Sequence, residues 1–248
     1  METDYATYEL SKPEKRKFLI LMYAFIFAIC LLFYHSIILS AVCGIMSVFC
    51  VDRYAAALAE KRRTLLSHQF KDLLYSLSAS IATGRQMEES IAEAYENMRL
   101  IYADDTPMVK ELGYMVRAMR HNHESEEELL VSLAKRSHIE DIKNFVDVYL
   151  ACRTTGGDLE KVISDSGEIL MDKMDIEREI KTLTSQKQFE GKIITVMPLA
   201  VVFFLNVFSP DYLQPMYTTI VGRIVMTLSL AGIVAAYLIT ERLMKIEV

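Results

Sequence analysis

The chain has no tryptophan and only four cysteines among its 248 residues, which argues against a disulfide scaffold or a cysteine-rich metal domain. Cys30, Cys43 and Cys50 lie in one apolar run, and Cys152 stands alone. None of them has the spacing of a zinc or redox motif. We therefore interpret all four as small apolar side chains in a reducing compartment.

Motifs for catalysis are missing as well. There is no Gly-x-x-x-x-Gly-Lys-Ser/Thr loop, because Gly191 and Lys192 lack the rest of one. No serine or cysteine nucleophile stands in a motif with a base. His121 and His123 are too close in sequence to share a helix face, and no third ligand is nearby, so a metal site is not predicted. We expect no enzymatic activity, no catalytic residue, no cofactor and no bound metal.

Charged residues are absent from three long stretches, 18–51, 193–210 and 224–240. A bilayer core of about 30 Å is spanned by about 20 helical residues, so these stretches predict membrane helices. The first stretch is long for one helix and lacks a signal-peptide cleavage site. A hairpin of two short spans turning near residues 34–36 fits it better, with one long tilted helix as the alternative.

Basic residues flank these stretches in a regular way. If both chain ends are cytoplasmic, four spans place every basic cluster on the cytoplasmic side of the membrane. A single N-terminal span would leave one basic cluster on the external side. The expected division is a cytoplasmic tail (1–17), a membrane hairpin (18–51), a cytoplasmic helical domain (52–192), a second membrane hairpin (193–240) with an external loop near 208–218, and a cytoplasmic tail (241–248).

The segment 52–192 carries 20 Lys and Arg against 26 Asp and Glu, which argues against a nucleic-acid partner. It has a single proline, Pro107, and no alternating strand pattern. Capping signals at Thr106-Pro107, at Ser125 to Glu128 and at Ser137 to Glu140 mark helix starts. The fold class is therefore all-α, with four transmembrane helices and a six-helix cytoplasmic bundle whose helices are expected near 53–83, 86–101, 107–121, 125–136, 138–154 and 158–190.

Two helical corners of one design stand 72 positions apart. Leu77 to Ile91 aligns without gaps on Tyr149 to Ile163, and both segments carry Thr-Gly at the corner. Glycine there suits a left-handed helix end, and an acidic residue after it can cap the next helix. We expect Gly84, Gly156, Gly157 and Asp158 to build these corners, as an internal repeat.

The predicted spans contain no Asp, Glu, Lys or Arg. A transporter or proton pump usually needs an ionisable group in the membrane, so these spans favour an anchor and assembly surface. A membrane-anchored helical sensor, receptor or scaffold subunit is the main alternative. A small membrane enzyme or channel is the other.

The chain resembles the type II secretion F domain family over residues 60–248, and in particular the TadB/TadC-like platform proteins of Flp (Tad) pilus machines, TadB more than TadC. Several segments carry this resemblance together: Gln69 to Gly84, Thr155 to Leu159, Leu183-Thr184, Met197-Pro198, Ser209 to Thr219 and Lys245 to Val248. Arg85-Gln86 departs from the family, where a more apolar stretch is common.

The resemblance implies an inner-membrane platform without catalysis, which couples a cytoplasmic assembly ATPase to the extraction of pilin subunits and fibre growth. The expected partners are this ATPase, a second TadC-like platform protein, pilins and the lipid bilayer. The acidic helix start at Glu126 and Glu127, or the one at Glu88 and Glu89, is the predicted contact for a basic surface on the ATPase. The alternative is that these carboxylates only cap their helices and keep the surface solvated.

Overall fold

The computed structural model describes residues 4–8 and 10–244, which form helices and short turns without a strand among them. The α-helices are α1 (Lys12–Tyr34), α2 (Ile37–Gly44), α3 (Cys50–Ile81), α4 (Met87–Ile101), α5 (Pro107–Arg117), α6 (Glu126–Ser137), α7 (Glu140–Thr155), α8 (Leu159–Phe208), α9 (Pro210–Thr218) and α10 (Ile220–Met244). A 3-10 turn covers Ile45–Phe49, and a π-helical turn covers Ala118–Asn122. The all-α prediction is confirmed.

The chain divides into two compact units. The helical unit combines Met1–Glu9 with Tyr54–Asp175, and the apolar unit combines Leu10–Arg53 with Ile176–Val248. Helices α3 and α8 contribute residues to both units.

The core of the helical unit is built from one apolar face of each helix. In α3 that face contains Leu66, Phe70 and Leu73, whose spacing of three or four residues is that of a helix stripe. Leu65 lies off this face and is 42% exposed, while the neighbouring Leu66 is fully buried. Phe70 meets Phe145 of α7 edge to face, with ring centroids 5.5 Å apart. Each such buried side chain contributes about 1.5–3 kcal/mol to stability.

The helix starts agree with the capping signals at two of three places. Pro107 is the first residue of α5 and follows the N-cap Thr106. The Ser125 hydroxyl accepts a hydrogen bond from the Glu128 amide at 3.2 Å. The third prediction was wrong, because Ser137 belongs to the end of α6 and Ile139 is the N-cap of α7. The buried Ser137 hydroxyl donates to the Ala134 carbonyl, so it completes one helix and does not start the next.

Four helical segments are long and apolar enough to cross a membrane, as the sequence predicted. They are Lys12–Tyr34, Ile37–Ile81, Phe189–Phe208 and Ile220–Thr240. The second segment includes α2, the 3-10 turn and α3, so its apolar part is not one unbroken α-helix.

The first apolar stretch is a hairpin in the structure. Helix α1 ends at Tyr34, and His35 follows in the left-handed region with φ +48°. Helix α2 turns back along α1, where the Tyr23 hydroxyl donates to the Ala41 carbonyl at 3.4 Å. A Cβ on Gly44 would stand only 2.5 Å from the Tyr23 ring, so glycine permits this close approach. One long tilted helix is therefore excluded.

The hairpin turn of α1 and α2 meets the segment between α8 and α10. The His35 ring stacks on the Tyr217 ring with centroids 4.7 Å apart. The Tyr217 hydroxyl donates to the Leu32 carbonyl at 3.0 Å, and Asn206 donates to that hydroxyl at 2.8 Å. Both turns of the apolar unit therefore lie at the same end of it.

Candidate functional site

The two predicted corners lie at the ends of α3 and α7. Gly84 has φ +86° and Gly156 has φ +71°, a region that side chains with a Cβ rarely occupy. Nothing lies within 4 Å of a Cβ built on either glycine, so backbone conformation alone calls for glycine there. Gly157 differs, because its φ is not in that region and its Cβ would stand 2.9 Å from Cys152 Sγ.

The two corners are alike in more than their glycines. Leu77 and Tyr149 are buried at aligned positions before the turn, and Ile91 and Ile163 are buried at aligned positions after it. Gln86 is the N-cap of α4, and Asp158 stands at the equivalent place before α8. The Asp158 carboxylate accepts a hydrogen bond from the Lys161 amide at 3.1 Å, whereas Gln86 makes no such bond with its side chain.

A groove of about 430 Å³ lies where the two corners come together. We call it the corner groove; it is lined by Gln86, Met87, Glu88, Glu126, Cys152, Arg153, Gly156, Gly157 and Leu159. Met87, Glu126 and Leu159 are the first residues of α4, α6 and α8. Three helix N-termini therefore meet here, and their partial positive charges favour the acidic side chains around them.

Arg153 of α7 balances the acidic start of α6. Its guanidinium contacts the Glu126 carboxylate, and its Nε lies 2.8 Å from Glu127 Oε1. It also donates to the Tyr149 hydroxyl at 3.1 Å. Burial raises the pKa of Tyr149, while Arg153 acts in the opposite direction. One cation thus serves two carboxylates, so the α6 side of the groove keeps a net negative charge.

The four predicted contact residues do not all lie in the groove. Glu88 and Glu126 line it, and Glu127 joins it through Arg153. Glu89 is exposed on α4 outside the lining. Neither Glu88 nor Glu89 has an ion-pair partner among residues 4–8 and 10–244, so both carboxylates are open to a partner.

The surface beside Gly84 is held by a small polar cluster. Arg85 pairs with Glu93 of α4, and the Ser80 hydroxyl donates to the same carboxylate at 2.5 Å. The hydrogen bond from Ser80, followed by Arg85, lowers the pKa of Glu93. Arg85 therefore supplies one ion pair here, and Gln86 supplies one residue of the groove lining.

The sequence interpretation missed a second polar group, which is buried. Arg136 and Glu111 form a two-bonded ion pair at 2.8 and 2.7 Å, and Tyr5 donates its hydroxyl to Glu111 at 2.8 Å. Burial, and then Glu111, raise the pKa of Tyr5. A signal was available, since Glu111 interrupts the apolar face formed by Met108, Leu112 and Met115. Tyr5 had been assigned to a cytoplasmic tail, and nothing in the local sequence indicates its burial.

The chemistry of the described site is that of binding. No group of three His, Cys, Asp or Glu side chains within the described residues could hold a metal ion. The groove offers carboxylates, one shared guanidinium and helix N-termini, all of which recognise charge.

The family of the type II secretion system (T2SS) protein F matches residues 73–206. Neither the curated proteins nor the solved structures gave a match. The matched residues run from the middle of α3 to the end of α8, and so include both corners and the groove between them. Because the match covers more than half of the chain, the protein belongs to the type II secretion system protein F family.

Proposed function

We propose that this protein is the inner-membrane platform of a type IV pilus machine of the Flp (Tad) kind, or of a similar secretion machine. In this role it transmits the movement of a cytoplasmic assembly ATPase to pilin subunits, which leave the membrane and join the growing fibre. The family match carries the proposal, since proteins of this family are non-catalytic membrane platforms of secretion and type IV pilus machinery.

The arrangement of the chain supports this role. Apolar helices long enough to span a membrane precede and follow the helical unit in the sequence. The basic residues beside them favour cytoplasmic N- and C-termini and a cytoplasmic helical unit. Lys245, the last of these basic residues, lies outside the described residues.

The corner groove is the surface that we assign to the ATPase. Its unpaired Glu88 and the carboxylates that share Arg153 fit a basic partner surface. Complementary charge of this kind mainly speeds encounter, and salt weakens it over a screening length of about 8 Å at physiological ionic strength. A second platform protein of the same family and the pilins are the other partners of the proposed machine.

Deletion of the gene tests the platform role. We expect the pilin to remain in the membrane fraction and the sheared surface fraction to lose its fibres, with both restored by the wild-type gene. Unchanged fibres in the deletion strain, and unchanged secretion, would refute the role.

The groove assignment has its own test, which uses purified full-length protein and the ATPase. Glu88→Lys should slow association and weaken its dependence on salt. Glu96→Lys is the matched control, because Glu96 is exposed on the same helix but is not part of the groove lining. Equal association rates for both variants would remove the groove as the contact and leave the platform role standing.

A further inference from the structure

Residues 4–8, which we call the N-terminal segment, pack into the helical unit. The residues that they contact there are distant from them in sequence. Tyr5 is 1% exposed, as little as the central core residues. Ala6 and Thr7 on its C-terminal side are exposed, as is Asp4 before it. Tyr8 is half-buried, so the fully buried Tyr5 is the main anchor of a mostly exposed segment, in the way that a short peptide is held in a binding pocket.

The pocket around Tyr5 satisfies every part of that side chain. Its hydroxyl donates to Glu111 of α5, and the guanidinium of Arg62 of α3 lies 4.8 Å from the centre of its ring. Arg136 of α6 pairs with Glu111 from the other side. Three helices thus supply an acceptor for the phenol, a cation for the ring face and a second cation that holds the acceptor in place.

The segment is also recognised outside the tyrosine ring. The Tyr5 amide donates to the Arg136 carbonyl at 2.9 Å. The Asp4 carboxylate lies 3.2 Å from Nε2 of His138. His138 follows α6 in the left-handed region with φ +52°, which places its ring beside the segment. The pocket therefore recognises three groups of an Asp-Tyr pair, namely the Asp4 carboxylate, the Tyr5 backbone amide and the Tyr5 hydroxyl.

We propose that Arg62, Glu111, Arg136 and His138 form a docking site for a short Asp-Tyr segment, and that its occupant is the chain's own N-terminal segment, bound reversibly. Residues 4–8 have no regular secondary structure of their own, so side-chain contacts and one backbone hydrogen bond to α6 hold the segment on the helices. Within residues 4–8, the polar contacts with the helices are made by Asp4 and Tyr5, and Tyr8 is half-buried. A ligand attached by two residues can leave without unfolding the helices that bind it, and the vacated site can accept the same sequence from solution or from a second copy of the chain.

A labelled peptide with the sequence of residues 1–11 tests the proposal. Its binding is compared for four versions of the membrane protein in detergent. These are the wild type, a chain without residues 2–8, Tyr5→Ala and Tyr8→Ala. We expect saturable binding, measured by fluorescence anisotropy, to the shortened chain and to Tyr5→Ala, whose sites are vacant. The wild type and the matched control Tyr8→Ala should bind little peptide, because their own segments occupy the site.

Changes in the peptide show which groups are recognised. A Tyr5→Phe peptide should bind at least about tenfold more weakly, because a hydrogen bond to a charged acceptor contributes more than a neutral one, and a Tyr5→Ala peptide should not bind. Equal binding of the Tyr5→Ala peptide, or equal binding to all four proteins, would overturn the proposal. So would loss of the helical circular dichroism spectrum in both vacant variants, because Tyr5 would then be a permanent part of the core.

Discussion

Arg153, in the last turn of α7, forms an ion pair with Glu127, its Nε lying 2.8 Å from Glu127 Oε1, and its guanidinium also reaches Glu126 at the first position of α6. This contact joins the end of one helix to the start of another beside the second glycine corner. It also cancels part of the negative charge that the sequence had suggested as an open contact surface. The acidic start of α6 is therefore less available to a partner than Glu88 on α4.

Arg153→Gln should separate the structural effect of this residue from its electrostatic effect. Its side chain is 44% exposed, so we expect the variant to lose only about 0.2–1 kcal/mol of unfolding free energy. The corner groove becomes more negative, so a basic ATPase should associate faster at low salt. Thermal unfolding and association kinetics measure the two effects. A slower association would contradict the assignment of the groove to a basic partner.

Substitutions at the second corner should separate backbone strain from loss of a cap. Gly156→Val is expected to destabilise the protein by about 1–3 kcal/mol, since a β-branched residue is strained at positive φ. Gly156→Asn is the matched control and should cost less, because asparagine tolerates this region. Asp158→Ala should cost about 1 kcal/mol through loss of its bond to the Lys161 amide. Equal melting temperatures for Gly156→Val and Gly156→Asn would contradict this account of the corner.

Tyr102 should make stability depend on alkaline pH. Burial, and then its hydrogen bond to Asp72, raise the pKa of Tyr102 from 10.0 to about 12. The folded state therefore keeps a proton that the unfolded state loses, and this contribution is complete below pH 10 and lost as pH rises towards 12. Between these values the wild type should lose more stability than Tyr102→Phe, as measured by denaturant unfolding. If the free energies of unfolding of the two proteins change with pH in parallel, the raised pKa of Tyr102 is refuted.

Cysteine labelling should establish the orientation of the membrane helices. In a variant whose native cysteines are replaced, a cysteine at position 212 should react with an impermeant reagent applied to intact cells. Cysteines at positions 12 and 245 should react only after the cells are opened, since basic residues surround the cytoplasmic ends. Labelling of position 12 from outside would reverse the proposed orientation.

The sequence was sufficient for features that depend on local patterns. Helical periodicity, proline at Pro107 and glycine at Gly84 and Gly156 act on their own neighbourhood, so the helices lie close to their predicted positions. The uncharged stretches predicted the four apolar helices in the same way. The Thr-Gly spacing that the two corners share is likewise a local pattern, and both glycines have positive φ.

Contacts between distant residues were decided only by the tertiary structure. Arg153 was an ordinary charge in sequence, and its position against Glu126 and Glu127 follows from how α6 and α7 pack. Ser137 matched a capping pattern, but the bend between those helices placed its hydroxyl in the preceding turn. Tyr5 lies 106 positions from Glu111. Its burial depends on three helices that pack around it. Because the stabilising contacts come from residues far apart in the chain, no local sequence pattern predicts them.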